Sequence, residues 1–103
     1  MLLLKYKNAY VGFAHLKIDR EERVGWGFIL EYYIIPSRRR IGLGTRFFSL
    51  IARILRENGV NRVWLLTNSP SAESFWCSLG FRFTGETDRE TGQKIFVREL
   101  KDP

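Results

Sequence analysis

Nine residues, SRRRIGLGT at positions 37–45, constrain this chain more than any others. Upstream lies the apolar, strand-like run GFILEYYII, which Pro36 ends because proline has no N–H to give to a ladder. Downstream the period changes. Phe47, Ile51, Ile54 and Leu55 fall at helical spacing, and Arg46, Ser49, Arg53 and Arg56 line the opposite face. This predicts an amphipathic helix over residues 45–58, roughly three to four turns long, with Gly59 tolerating the left-handed geometry of a helix end. VNRVWLLTN then reads as a buried strand. Strand, helix and strand in that order imply a parallel pair joined by a right-handed crossover.

The remaining segments extend this unit. LLLKYK and YVGFAHLKID are β-rich runs separated at Asn8 and Ala9, and REER separates the second from VGWGFILEYYIIP, which predicts three antiparallel strands. In SPSAESFWCSLGF, Ser69 is an N-cap and Pro70 a first helical residue. Ala72, Phe75, Trp76 and Leu79 form the apolar face of a short helix that Gly80 stops. FRFTGETDRETGQKIFVREL predicts two strands around a turn containing Gly92. The order β-β-β-α-β-α-β-β is an α/β mixed sheet, one domain over residues 1–103, a length at which a second domain has no room.

Charge points to an anionic ligand. Residues 38–62 carry seven arginines against Glu57 alone, a net +6 that equals the whole chain's formal charge. At a strand end feeding a helix, the first N–H groups lack partners and the helix dipole adds partial positive charge, which makes an anion site. Glycines at 42 and 44 leave no side chain between those amides and a diphosphate, and Arg39 and Arg40 add mobile positive charge. The alternative is a plain strand-to-helix turn with solvated arginines, since the stretch lacks the Lys-Ser/Thr of an ATP-type loop and does not read Gly-x-Gly-x-x-Gly. The single cysteine, Cys77, rules out an intrachain disulfide and a cysteine metal cluster, which fits a reducing, cytoplasmic setting. No run is long enough for a signal peptide or a membrane span, and no metal site is expected.

IIPSRRRIGLG resembles the signature of the GNAT N-acetyltransferase superfamily, Gln/Arg-x-x-Gly-x-Gly/Ala, matched by Arg39, Gly42 and Gly44 with Ile34 and Pro36 upstream. SAESFWCSLGF is similar to the family's later helix, with Ala72, Phe75 and Gly80-Phe81 in register, and the likeness runs from about residue 2 to residue 100. The resemblance implies acetyl-CoA. Its diphosphate would lie on the amides of Arg40, Ile41, Gly42, Leu43, Gly44 and Thr45, with Arg39 beside it. Its pantetheine arm would pair with the strand at Tyr33, Ile34 and Ile35, between two parallel strands that splay apart. The thioester would sit near Tyr33 and the Asn68-Ser69 corner.

The chain departs from the family pattern in three places. Trp76 stands where many members have a tyrosine that protonates the departing thiolate, and an indole N–H cannot act as a general acid. A thiol pKa of about 8.5 makes the thiolate a tolerable leaving group without one. Ser69 stands where the family has asparagine, with Asn68 one step away, and a capping role suits it. The chain also begins at what looks like the family's second strand. The absent strand and two helices would expose an apolar, aromatic surface favouring a homodimer, or leave a large acceptor to supply its own cover.

An amine acceptor must lose a proton to attack a thioester, and Glu31 is the best base. It interrupts an apolar run, shares a face with Tyr33 and Ile35, and in apolar surroundings its pKa would rise. His15 is the runner-up, and Cys77 reads as structural. The leading expectation is direct acetyl transfer from acetyl-CoA to a primary amine on a small molecule or peptide, with a backbone amide near Ile34 stabilising the oxyanion. A CoA-binding regulatory module is the alternative. A nucleic-acid surface, suggested by the arginines with Tyr32, Tyr33 and Trp26, is less favoured because no nucleic-acid motif appears.

Overall fold

A computed structural model of the chain describes residues 1–39 and 41–100. Its elements are β1 Leu2–Tyr6, β2 Ala9–Ile18, β3 Gly27–Ile34, a 3₁₀ turn Pro36–Arg38, α1 Leu43–Glu57, β4 Arg62–Thr67, α2 Pro70–Ser78, β5 Arg82–Thr87 and β6 Lys94–Glu99. The order matches the sequence reading. The six strands form one mixed sheet in the order β1-β2-β3-β4-β6-β5, in which only β3 and β4 are parallel.

Local chemistry explains the turns. Lys7 and Asn8 have φ of 50° and 64°, the paired positive values of a two-residue hairpin that follows the strands' twist. The third strand starts at Gly27 rather than at Val24, because Asp19 organises the preceding loop. Its buried carboxylate accepts from the N–H groups of Glu21 at 3.0 Å, Glu22 at 3.2 Å and Arg23 at 3.1 Å. That geometry closes the segment into a turn and lays the Arg23 guanidinium 4.4 Å from the centre of the Trp64 ring.

Both helices lie on one face. Phe47, Phe48, Ile51, Ala52 and Leu55 of α1 and Trp76 of α2 pack with Ala14, Ile29, Ile34, Val63, Leu65 and Phe96 from the sheet. The other face carries a smaller cluster, Trp64, Ile95 and Val97, flanked by Trp26, Phe28 and Leu66. This face is covered only in part, with Tyr33 left exposed on it. Trp64, Ile95 and Val97 are buried within the single chain, under a Phe28–Trp64 stack at 4.0 Å and the Arg23 guanidinium. Arginine planes lie over the Trp26 and Trp64 rings and do part of this covering.

Two irregularities set up the centre of the sheet. Parallel pairing of β3 with β4 runs only from Gly27↔Val63 to Ile29↔Leu65, although both strands continue. On the other side of β3, His15 faces Glu31 while Leu16 faces Ile29, so Leu30 is the extra residue of a bulge. Ile29 before the bulge and Tyr32 and Ile34 after it all belong to the helix-side core, while Glu31 and Tyr33 are turned to the opposite face.

β2 and β3 also approach unusually closely. A Cβ on Gly12 would collide with the Tyr33 carbonyl oxygen and come within 2.8 Å of Ile34 Cδ1. Gly12→Ala is therefore expected to cost about 2 kcal/mol, lowering the melting temperature by roughly 8–16 °C for a domain of this size. An unchanged melting temperature would show that the strands part freely.

The Asp19 loop yields a pH dependence. Hydrogen bonds from the loop amides, that of Glu21 foremost, hold its carboxyl below the usual carboxylate range although burial pushes the other way. A depressed folded pKa gives stability that is complete above the unfolded value, about 3.9, and is lost as pH falls through the folded one. The stability difference between the parent chain and Asp19→Asn should therefore shrink below about pH 4. Thermal unfolding measured across the acid range, with a gap that stays constant, would contradict this.

Candidate acyl-CoA site

The divergence of β3 from β4 opens a cleft of about 560 Å³, lined by Tyr32, Tyr33, Ile34, Arg39, Gly42, Gly44, Thr45, Ser71, Ala72 and Phe75. Its floor is main chain. Ile35 N–H donates to Val11 O at 2.8 Å on the β2 side. Alternation along an antiparallel pair then turns the N–H and C=O of Ile34 and Tyr32 the other way, toward the gap. The Ile34 carbonyl is already engaged, by Arg39 Nε at 2.7 Å.

At the head of the cleft stands the N-terminus of α1. Gly42 is its N-cap, with φ 83° in the left-handed region, and its carbonyl accepts from Arg46 N–H at 3.0 Å. The amides of Leu43, Gly44 and Thr45 therefore have no intrahelical acceptor. No side chain caps them and no acidic residue stands in the first turn, so the positive end of the dipole is unneutralised. Gly44 is bare for a second reason: a Cβ there would press on Phe75 of α2, 3.1 Å from Cζ. The two helices meet at that contact.

Tyr32, which sequence reasoning considered only as a stacking surface, ties these parts together. Its hydroxyl donates to the Gly44 carbonyl, and its ring packs edge-on against Trp76 at 4.9 Å and beside Phe47 and Phe75. Burial pushes its phenol well above the usual range, so it stays protonated as a donor. Trp76 is a core residue, packed against Phe48, Phe75 and Phe81 as well as Tyr32.

Several expected site residues lie elsewhere. Arg39 is at the cleft, where its Nε donates to Ile34 O and its guanidinium lies 5.2 Å from the Tyr33 ring centre. Arg40 lies outside the described residues. Leu43 is buried with its side chain in the core, Ile41 is exposed, and Ile35 is held to Val11; only Gly42, Gly44 and Thr45 of the turn line the cleft. Asn68 Oδ1 instead accepts from Lys94 N–H at 3.1 Å, and Ser69 Oγ caps α2 by accepting from Ala72 N–H. Ser71, Ala72 and Phe75 form that wall. They lie two, three and six residues after the N-cap Ser69, in the first two turns of α2.

Glu31 lacks the apolar surroundings expected for it. The bulge at Leu30 places it on the face away from the helices, with its side chain 60% exposed and Oε1 3.7 Å from His15 Nδ1. Cys77 is exposed and unpaired.

A left-handed glycine opening a helix against the gap between two parallel strands defines a class of α/β site, in which an anion meets main-chain N–H groups at strand ends. Within that class the chain belongs to the acetyltransferase (GNAT) family, whose model matches residues 1–81. Among solved structures it is similar to an acetyltransferase from Thermus thermophilus, with 25% identity and a TM-score of 0.81 over 95% of this chain and 62% of that one. It is also similar to the PaiA N-acetyltransferase of Thermoplasma acidophilum in complex with coenzyme A (18%, 0.77, 92% and 57%). A third is N-acetylglutamate synthase of Neisseria gonorrhoeae, complexed with coenzyme A and N-acetyl-glutamate (22%, 0.79, 97% and 25%). The chain thus spans less than two thirds of each, and at 18% and 22% the likeness is one of fold. No curated protein matches the sequence.

Tyr32→Phe removes the bond to Gly44 while keeping the ring. It should cost about 1 kcal/mol of stability, measured by urea unfolding, and broaden the amide resonances of the first turn of α1. A variant as stable as the parent, with those resonances unchanged, would deny the hydroxyl this role.

Proposed function

We propose that this chain is an N-acetyltransferase domain that moves an acetyl group from acetyl-CoA to a primary amine by direct attack. The observation carrying the proposal is the conjunction of an unneutralised α1 N-terminus with a main-chain edge that lost its β4 partner. When bound, acetyl-CoA supplies an activated thioester. The amides of Leu43, Gly44 and Thr45 hold the diphosphate, and the Arg39 Nη groups, left over from the bond to Ile34, face the same anion. The free polar groups of Tyr32 pair with the pantetheine amides, and Phe75 and Ala72 close the wall of the cleft.

Glu31 is the base. It is exposed on the face away from the helices, one residue from Tyr32, where an acceptor amine can approach. Through a water it takes the amine's proton, the nitrogen bonds to the acetyl carbon, and the carbon–sulfur bond breaks to release the thiolate. The N–H of Ile34, aimed into the gap, stabilises charge on the carbonyl oxygen. No tyrosine on α2 provides a proton for the thiolate, because Trp76 occupies that position in the core. Turnover then relies on the thiolate leaving unprotonated, which a thiol pKa of about 8.5 permits, and solvent protonates it after release.

Calorimetric titration should show one acetyl-CoA per chain, with binding weakened about tenfold or more by Gly44→Val, a loss of at least about 1.4 kcal/mol. In an amine panel followed by free-thiol release, Glu31→Gln should lower kcat by about 10²–10⁴ and leave acetyl-CoA affinity unchanged. Binding without release for any amine would instead support a CoA-binding module. Full activity in Glu31→Gln would pass the base to another group, His15 first.

A further inference from the structure

On the sheet face away from the helices, one lateral row of side chains is apolar and open. Leu3 of β1 stands opposite Phe13 of β2, and Phe13 stands opposite Tyr33 of β3. Their chain neighbours Leu2, Leu4, Ala14, Tyr32 and Ile34 belong to the helix-side core, so alternation turns all three to the other face. Leu3 is 58% and Tyr33 39% exposed, and the Phe13 and Tyr33 rings lie 5.7 Å apart. Single exposed apolar side chains are ordinary, but three aligned across three strands make a patch.

The next row on this face is polar. His15 stands opposite Glu31, two residues along each strand from Phe13 and Tyr33, which is about 7 Å at the strand rise. Tyr33 also lines the acyl-CoA cleft. The aromatic row therefore borders the cleft, and the carboxylate stands beside it.

The charges laid on the surrounding rings are cations. Lys17 Nζ lies 5.6 Å from the centre of the Phe28 ring, the Arg23 guanidinium 4.4 Å from that of Trp64, and the Arg39 guanidinium 5.2 Å from that of Tyr33. A second ammonium on an acceptor would meet these like charges. A carboxylate beside the reacting amine would stand against Glu31.

We propose that Phe13 and Tyr33 form the acceptor platform of this chain and that its substrate is an arylalkyl monoamine. The amine sits at Glu31, a short alkyl linker follows, and the aromatic ring lies on the Phe13–Tyr33 row, where ring contacts add to apolar burial. The proposal rests on the acetyltransferase reading for the chemistry. The amine nitrogen bonds to the acetyl carbon, the carbon–sulfur bond breaks, and the proton leaves through Glu31, giving the N-acetyl amine and the thiolate of CoA.

Two measurements separate the platform from that chemistry. Phenethylamine titrated into the ¹⁵N-labelled chain, with and without CoA, should give saturable shifts at the amides of Phe13, His15, Glu31 and Tyr33, with n-butylamine and cadaverine binding at least about tenfold more weakly. With acetyl-CoA present, free-thiol release should give phenethylamine a kcat/KM at least about tenfold above those of n-butylamine, cadaverine and phenylalanine. Tyr33→Leu keeps the row apolar but removes the ring. It should shrink the preference for phenethylamine over n-butylamine about tenfold, mainly through KM, a change of selectivity that a loss of stability alone does not produce. The proposal is overturned if phenethylamine gives no saturable shifts, if it is acetylated no better than n-butylamine or cadaverine, or if the shifts follow protein concentration instead of the amine, which would assign the row to a contact between copies. Saturable binding of phenethylamine without thiol release from any amine would uphold the platform and overturn the acetyltransferase reading instead.

Discussion

The structure turns on two strands that stop pairing. β3 and β4 are hydrogen-bonded only up to Ile29 and Leu65, and everything that makes a site follows from their continuing apart. Main-chain groups deprived of a ladder partner must be satisfied by something else, and here one carbonyl has found Arg39 while the edge at Tyr32 is open to the cleft. Because α1 begins where β3 ends, the positive end of its dipole meets the same gap. A sheet paired to its ends would have neither the cleft nor the free edge.

What keeps the gap from collapsing is aromatic packing. The bulge at Leu30 turns Tyr32 toward the helices, where its ring wedges between Phe47, Phe75 and Trp76 and its hydroxyl holds the first turn of α1. One extra residue in β3 thus decides two things together. It sets Tyr32 and Ile34 in the core, and it sends Glu31 and Tyr33 to the face away from the helices.

The element order and both helices were legible because their signals are local. The Phe47-Ile51-Ile54-Leu55 spacing marked α1, although Ile54 itself is exposed, and Ser69-Pro70 marked the start of α2 to the residue. The glycine turn was legible for the same reason, since left-handed Gly42 and close-packed Gly44 each demand the absence of a side chain. The misreadings share the opposite cause. Val24 to Trp26 look like strand but yield to Asp19, whose carboxylate gathers amides two to four residues on. Glu31 was placed in apolar surroundings because it interrupts an apolar run; it does share a face with Tyr33, as alternation gives, but that face is open to solvent at Glu31. Asn68 faces the edge of β6, a partner 26 residues away.

The central claim is that the bare N-terminus of α1 and the unpaired edge of β3 together receive acetyl-CoA. The most direct measurement is a titration of the ¹⁵N-labelled chain with acetyl-CoA, read at individual backbone amides. The account predicts saturable shifts at the amides of Leu43, Gly44 and Thr45 and, with the same affinity, at Tyr32 and Ile34 on the gap side of β3. Shifts confined to exposed arginines, or none at all in either segment, would contradict it.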